Sequence, residues 1–429
     1  MASAYKSAIL STTSNSCTNS SRLIFLIKTY ISHHTISPFM KFAHIADCHI
    51  GGWTEPKMKQ LGIDAFNRAV EICISEKVDF VLIAGDLFNT AIPQIELIRD
   101  TVSALKKLKD NNIKVYTIAG SHDFSPSGKT MLEVLEKAGL TKDVFRVENN
   151  KLMLTLHGSA KITGMLGRKG GLESEDYKNI QTSHLSNELG YKIFMFHSAI
   201  DELKPKDMQD MDSMPASMLP DGFDYYAGGH VHALLEMKHG KGVITFPSAL
   251  FPNNFKELEE QGCGGFFIVD EKGYRRIELK MKDVVALNFK ANNKTAMQLQ
   301  DEIKEKAVSV DSKDKIVLLR VAGTLASGKP SDINFKQIFE NFSESYFAMK
   351  NTSGLSSAEY TEAVIDAKVT ADEILKEQRS ELSLFEKEEE AVRLLLSALN
   401  IEKAEGEKAN DFEKRVVAEA VSALGISLN

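Results

Sequence analysis

Paired cysteine motifs are missing from this sequence. Its four cysteines, Cys17, Cys48, Cys73 and Cys263, stand far apart, with no Cys-x-x-Cys spacing. That argues against a disulfide framework or a structural zinc knuckle and fits a reducing cytosol. Apolar runs long enough to span a membrane are also missing. So are a catalytic serine elbow and a glycine-rich phosphate cradle. Nor is there an excess of positive charge, since the net charge is −7. The deficit is local: residues 370–420 hold 14 acidic and 8 basic side chains, which leaves about −1 for the rest of the chain. An acidic tail thus masks a nearly neutral body, and basic patches stay open to that body.

The chain has 429 residues, enough for two or three domains with a sizeable core. Residues 1–39 are rich in Ser and Thr, contain no acid, and carry only Lys6, Arg22 and Lys28 as charges. A transit or signal peptide is one reading. The abrupt strand-like onset at "MKFAHIAD" favours a disordered or mis-started extension ahead of Met40.

From Lys41 onward, short apolar runs alternate with helical periodicity: "KFAHIAD", "AFNRAVEICISEKV", "DFVLIAGD", "IELIRDTVSALKKLKDNN", "IKVYTIAGSHD". This alternation predicts βαβ units with buried strands. Later runs, "YKIFMFH", "FDYYAGGH" and "GVITFPSA", lack long helices between some of them and predict a second sheet packed on the first. "GCGGFFIVDEKGYRRIELKM" reads as a hairpin turning at Lys272 and Gly273. The expected fold is α/β, a two-sheet β-sandwich flanked by helices over residues 40–282. A small α+β domain follows at 283–352, and a helical tail at 370–429.

Polar residues collect at the carboxyl ends of the apolar runs, where ligand sites form in α/β sheets. Asp47 and His49 follow the first run, Asp86 the second, Ser121, His122 and Asp123 the third. His197 ends "KIFMFH", and His230 and His232 follow "YYAGG". Any one histidine after a strand is ordinary. Five of the chain's 11 histidines at such ends, beside acids and glycines, point to a shared site. Imidazole and carboxylate suit Mn²⁺, iron or Zn²⁺, and a carboxylate such as Asp86 can bridge two ions in phosphoester cleavage. A persisting strand pleat would turn Asp47 and His49 to one face and Cys48 to the other, as a core thiol. His44 alternates into the core.

The series "ADCHIGG", "AGDLFN", "AGSHD", "FMFH" and "GGHVH" resembles the signature of the calcineurin-like metallophosphoesterase superfamily. Within it, the chain is similar to the SbcD-type DNA repair exonucleases, the nuclease subunit of the meiotic-recombination double-strand-break repair complex. The match runs roughly from Met40 to Lys280. The resemblance implies two divalent metal ions, most often Mn²⁺. Asp47, His49, Asp86 and His232 would hold one. Asp86, His197 and His230 would hold the other, with Ser121 adding a ligand. His122 would protonate the leaving oxygen or stabilise the phosphorane-like transition state, with Asp123 orienting it. The family usually has asparagine at the Ser121 position, and several relatives have histidine at Asn89, proposed to handle the DNA end. Serine there implies weaker occupancy of the second ion.

The resemblance further implies a nuclease acting on DNA with a coiled-coil ABC-type ATPase, as a homodimer, in the cytoplasm at the nucleoid and away from membranes. Lys57, Lys59, Arg168 and Lys169 are candidate phosphate contacts, although each also reads as an ordinary solvated basic residue. Val392, Leu395, Leu396 and Leu399 form an apolar stripe suited to the ATPase or to packing on the chain's own body. A phosphodiesterase or phosphatase for small molecules would use the same two-metal chemistry, and a non-catalytic scaffold is a third reading.

Overall fold

The computed structural model describes residues 40–359, except 126–129, 169–171, 206–207 and 209–210, together with 415–419 and 421. The chain divides into two compact units, residues 1–359 and 360–429. In the second, residues 415–419 are helical. The extension 1–39 and the apolar stripe Val392, Leu395, Leu396 and Leu399 lie outside the described residues.

Two six-stranded sheets make the body of the first unit. One runs, in spatial order, Gly273–Leu279, Gly264–Asp270, Phe42–Ile45, Phe80–Ala84, Lys114–Ile118 and Lys142–Asp143. Its central strands are parallel, and the 264–279 hairpin adds antiparallel strands at one edge. The other runs Leu234–His239, Gly242–Pro247, Tyr225–Gly229, Tyr191–His197, Ala160–Gly164 and Thr155–His157. Two-residue alternation assigns the strand side chains to layers. Phe42, Phe80 and Leu82 enter the core between the sheets, facing Ile193, Met195 and Tyr225. Ala43, Ile45, Val81 and Ile83 face the helices.

The helices fit this outer face because their apolar residues recur every three or four positions. Helix Pro56–Ser75 buries Met58, Leu61, Ala65, Phe66, Ala69, Val70 and Cys73. It starts where Glu55 caps the Lys57 N–H and Pro56 opens the first turn. Full burial of a side chain such as Phe66 contributes roughly 2–3 kcal/mol. Helix Ile95–Asp110 covers the neighbouring strands with Leu97, Ala104, Leu105 and Leu108.

A third sheet is built from Val284–Lys290, Ile316–Leu325 and Phe347–Asn351, with Leu355–Ser357 beside Ile316–Leu325. Helices Ala296–Ser309 and Phe335–Glu340 cover it. Thr295 and Gln298 close a capping box at the start of the first helix. Alternation again decides the packing. Val317, Leu319 and Val321 enter this unit's own core, while Ile316 and Leu318 join the helix-covered core of the first sheet. The last strand lies past residue 352, so the α+β unit is longer than the sequence pattern suggests; three residues are too short to read as a strand. The hairpin also turns one residue earlier than expected. Asp270 pairs with Gly273, so the loop is Glu271–Lys272, and Gly273, at φ +113°, already belongs to the second strand.

Candidate metal centre

Six of the expected residues bring their ligand atoms together where the two sheets end. Asp47, His49 and His232 form one group, His49, Asp86 and His122 a second, and Asp47, Asp86 and His197 a third. Within each, one ligand atom per residue lies within 4.8 Å of the others. His230 stands beside them, its ring 5.2 Å from that of His197, and its backbone N–H donates to Asp47 at 2.9 Å. Ser121 is buried and directs Oγ toward Asp86 Oδ2 at 3.5 Å.

The strand pleat does not create this convergence. Strand Phe42–Ile45 stops before Asp47, and Asp47, His49, Asp86 and His230 all have positive φ, at +50°, +40°, +50° and +90°. Non-glycine residues rarely adopt this conformation, and it costs of order 1 kcal/mol or more each. The chain therefore turns its side chains inward by left-handed kinks just beyond the strands. Cys48 is buried between Asp47 and His49, and burial pushes its thiol well above the usual range. Glycines supply the room. A Cβ on Gly85 would meet His197 Nδ1 at 2.1 Å, and one on Gly120 would meet Asp86 Oδ1 at 2.2 Å.

The hydrogen bonds behind the histidines test whether metal ions fit. Four of the five site histidines have an acceptor behind Nδ1: Ala84 O for His197 at 2.9 Å, Asn89 Oδ1 for His49 at 3.1 Å, Glu257 Oε1 for His232 at 2.8 Å, and Asn89 O for His122 at 2.9 Å. Nδ1–H donation in every case leaves Nε2 as a lone pair aimed into the site. His49 Nε2 and His232 Nε2 then face each other at 2.9 Å. His197 Nε2 faces Asp86 Oδ2 at 3.1 Å, and no hydrogen bond satisfies it among the described residues. Lone pairs opposed at such distances repel unless positive charge lies between them. The donor set, imidazole nitrogen plus carboxylate, is that of divalent first-row metals. The residues fit a metal centre.

Titration points the same way. Burial pulls His49 and His230 down to about 3, which keeps them neutral as ligands. Burial pushes Asp47 up to about 6. Burial, with the Asp86 charge beside it, pushes Asp123 up to about 7. Asp86 and His197 go opposite ways. Burial disfavours charge on both, yet their mutual attraction holds Asp86 well below the usual carboxylate range and lifts His197 to about 10. Without a metal ion, a proton supplies the positive charge this corner requires.

Some expected roles sit differently. Asp123 does not touch the His122 ring; its carboxylate accepts the N–H groups of Leu87, Phe88 and Gly120. The ring is oriented by Asn89 instead. Lys57 donates to Tyr346 O at 2.9 Å, with its ammonium 5.7 Å from the Tyr346 ring centre. Arg168 pairs with Asp176 at 2.8 Å and stacks over Phe124. Of the four candidate phosphate contacts, Lys57 and Arg168 are thus engaged within the molecule, and Lys169 lies outside the described residues. Glu257 was missed by the sequence reading. Its only signal is an acid in "NNFKELEE" three residues after a capping asparagine, which reads as a helix start.

Paired carboxylates and imidazoles at the ends of a two-sheet sandwich define a metal-dependent phosphoesterase site. The family profile of the calcineurin-like phosphoesterases matches residues 40–234, and this stretch is a calcineurin-like phosphoesterase domain. The chain is 29% identical to the DNA double-strand break repair protein Mre11 of Methanocaldococcus jannaschii over 274 residues, 58% of this chain and 70% of that protein. Against the protein of the same name from Thermoplasma acidophilum, identity is 28% over 299 residues, 66% of this chain and 77% of the relative. The Sulfolobus acidocaldarius protein is 26% identical over 328 residues, 73% of this chain and 82% of the relative.

Proposed function

We propose that this chain is a two-metal DNA nuclease of double-strand break repair that hydrolyses phosphodiester bonds. The observation that carries the reading is the set of opposed lone pairs, His49 against His232 and His197 against Asp86, each held by an acceptor behind the ring. The similarity to double-strand break repair proteins supports DNA as the substrate.

Asp47, His49, Asp86 and His232 would hold one ion; Asp86, His197 and His230 would hold the other, with Ser121 beside Asp86. When bound, such a pair of ions, Mn²⁺ in this reading, makes a nucleophile available at neutral pH and offsets charge building on the phosphoryl oxygens. The protein's own contribution is position. The acceptors behind the rings keep Nε2 of three ligand histidines aimed inward. His122, anchored through Nδ1–H on the Asn89 carbonyl, is placed to hand a proton from Nε2 to the leaving oxygen when the ring carries a proton on both nitrogens. Asp123 ties the 87–88 loop to the 120–123 loop and so sets the distance between Asn89 and His122.

The same reading assigns a capping role to the 284–357 unit, a coiled-coil ABC-type ATPase as partner, a homodimer as the assembly, and the cytoplasm at the nucleoid as the place of action. No helix among the described residues is long and apolar enough to cross a membrane.

The test is cleavage of a labelled DNA duplex with Mn²⁺ by the protein from Met40 onward, beside His122→Ser and a nitrophenyl phosphodiester control. Metal-dependent DNA cleavage lost in His122→Ser is expected. Robust ester hydrolysis with DNA untouched would replace the nuclease with a small-molecule phosphodiesterase.

A further inference from the structure

Helix Phe255–Gln261 touches the metal centre on one side and the third sheet on the other. Toward the centre, the Glu257 side chain accepts His232 Nδ1–H at 2.8 Å. Asn253 N–H and Asn254 Nδ2 fix the same carboxylate at 2.7 and 2.6 Å. Gln261 Nε2 donates to the His232 carbonyl at 2.6 Å. Away from the centre, Glu259 receives a two-pronged grip from Arg320 of strand Ile316–Leu325. Nε lies 2.9 and 3.0 Å from its oxygens, and Nη2 lies 2.6 Å from one of them. The same guanidinium lies 5.0 Å over the ring of Phe255, the first residue of the helix. Seven residues are too few for a helix to hold its own place. Its position therefore depends on these contacts.

We propose that Arg320 is a positioning residue for the metal centre, acting through helix Phe255–Gln261 to hold Glu257 against His232. The proposal rests on the metal-centre reading above. Glu257 and Glu259 are two positions apart and so project from opposite sides of the helix. A rigid fork on Glu259, with stacking on Phe255, restricts both the slide and the roll of the helix. An ammonium on a flexible stem restricts neither as well. A roll that carried Glu257 away would leave His232 free to change tautomer and turn its lone pair out of the site. The placement of the third sheet is thereby felt at one metal ligand.

The experiment uses the full chain. Mn²⁺ is titrated calorimetrically into wild type, Arg320→Met, Arg320→Lys and Glu259→Gln. The His232 Nδ1–H resonance is followed in the metal-free proteins. Arg320→Met is expected to weaken Mn²⁺ binding about tenfold, the low end of what loss of a ligand's supporting contacts costs. The His232 resonance should broaden, with Arg320→Lys recovering only part of each effect. Glu259→Gln breaks the fork and leaves the stacking on Phe255, so it should shift both readouts in the same direction by a smaller factor, and Arg320→Met combined with Glu259→Gln should be no worse than Arg320→Met alone. Glu259→Gln also carries the test if Arg320→Met fails to fold. Lys106→Met, which breaks an exposed ion pair with Asp110, is the control and should change neither readout. Wild-type Mn²⁺ affinity with a sharp His232 resonance in both Arg320→Met and Glu259→Gln would overturn the proposal. So would an equal loss in Lys106→Met. Wild type that takes up no Mn²⁺ would instead overturn the metal-centre reading, and the proposal with it.

Discussion

Asn89 holds two histidines at once: its side-chain oxygen lies 3.1 Å from His49 Nδ1, and its backbone carbonyl 2.9 Å from His122 Nδ1. One residue thus orients a candidate ligand and the candidate acid, by separable atoms. Asn89→Ala removes only the first contact. It should weaken Mn²⁺ binding by about tenfold while leaving the His122 ring in place. Asn89→Asp keeps an acceptor and should bind Mn²⁺ at least as well as wild type. Calorimetry on the three proteins checks this, and equal affinities would deny Asn89 its role toward His49.

Ser121 is the short side chain in the ligand set, and its Oγ reaches Asp86 only at 3.5 Å. A neutral hydroxyl close to the backbone is a weaker metal donor than an amide oxygen on a longer stem. Ser121→Asn is expected to raise occupancy of the second ion, with about tenfold tighter binding. Metal analysis after dialysis reads the stoichiometry. Two tightly held ions in wild type, unchanged in the variant, would refute the expectation.

His44 offers a pH test away from the ligands. It is fully buried, with Nδ1 3.0 Å from Tyr225 Oη and Nε2 3.2 Å from the Gly228 carbonyl. Burial pulls its pKa from 6.5 down to about 3, against a smaller upward pull from the Gly228 carbonyl. Between those values the unfolded chain binds a proton that the folded chain refuses. Its neutrality therefore stabilises the fold fully above about pH 6.5, and the benefit is lost as pH falls toward 3. The slope is about 1.4 kcal/mol per pH unit for one proton. Urea unfolding of metal-free wild type and His44→Gln, at pH 7 and pH 5, should show a shallower loss in the variant. Parallel slopes would contradict the assignment.

Lys57 distinguishes a DNA contact from an internal one. Its ammonium binds the Tyr346 carbonyl, and Tyr346 Oη returns a bond to the Lys57 carbonyl at 3.0 Å. A phosphate contact removed by mutation lowers the salt slope of DNA binding by about one. Lys57→Met is expected to leave that slope unchanged and to cost about 1 kcal/mol of stability through the lost contact with Tyr346. A reduced slope would return Lys57 to the DNA-binding surface.

Much of the site was legible in the sequence because strand ends are. An apolar run that stops at Asp47, Asp86, Ser121, His197 or His230 announces both the strand and where its carboxyl end lies, and parallel strands carry such ends to one edge of a sheet. Periods of two and of 3.6 residues likewise separated the sheets from the helices that cover them, through residues such as Phe42 and Ala43 or Leu61 and Phe66. Those signals are local and survive in one dimension. The tertiary structure decided the rest. The left-handed kinks at Asp47 and His49, not the pleat, turn the ligands inward, because burial in a crowded corner overrides backbone preference. The acceptors behind the rings come from sequence positions as distant as Ala84 for His197 or Asn89 for His49. A hydrogen bond depends on distance and angle in space, and neither is written in the order of residues.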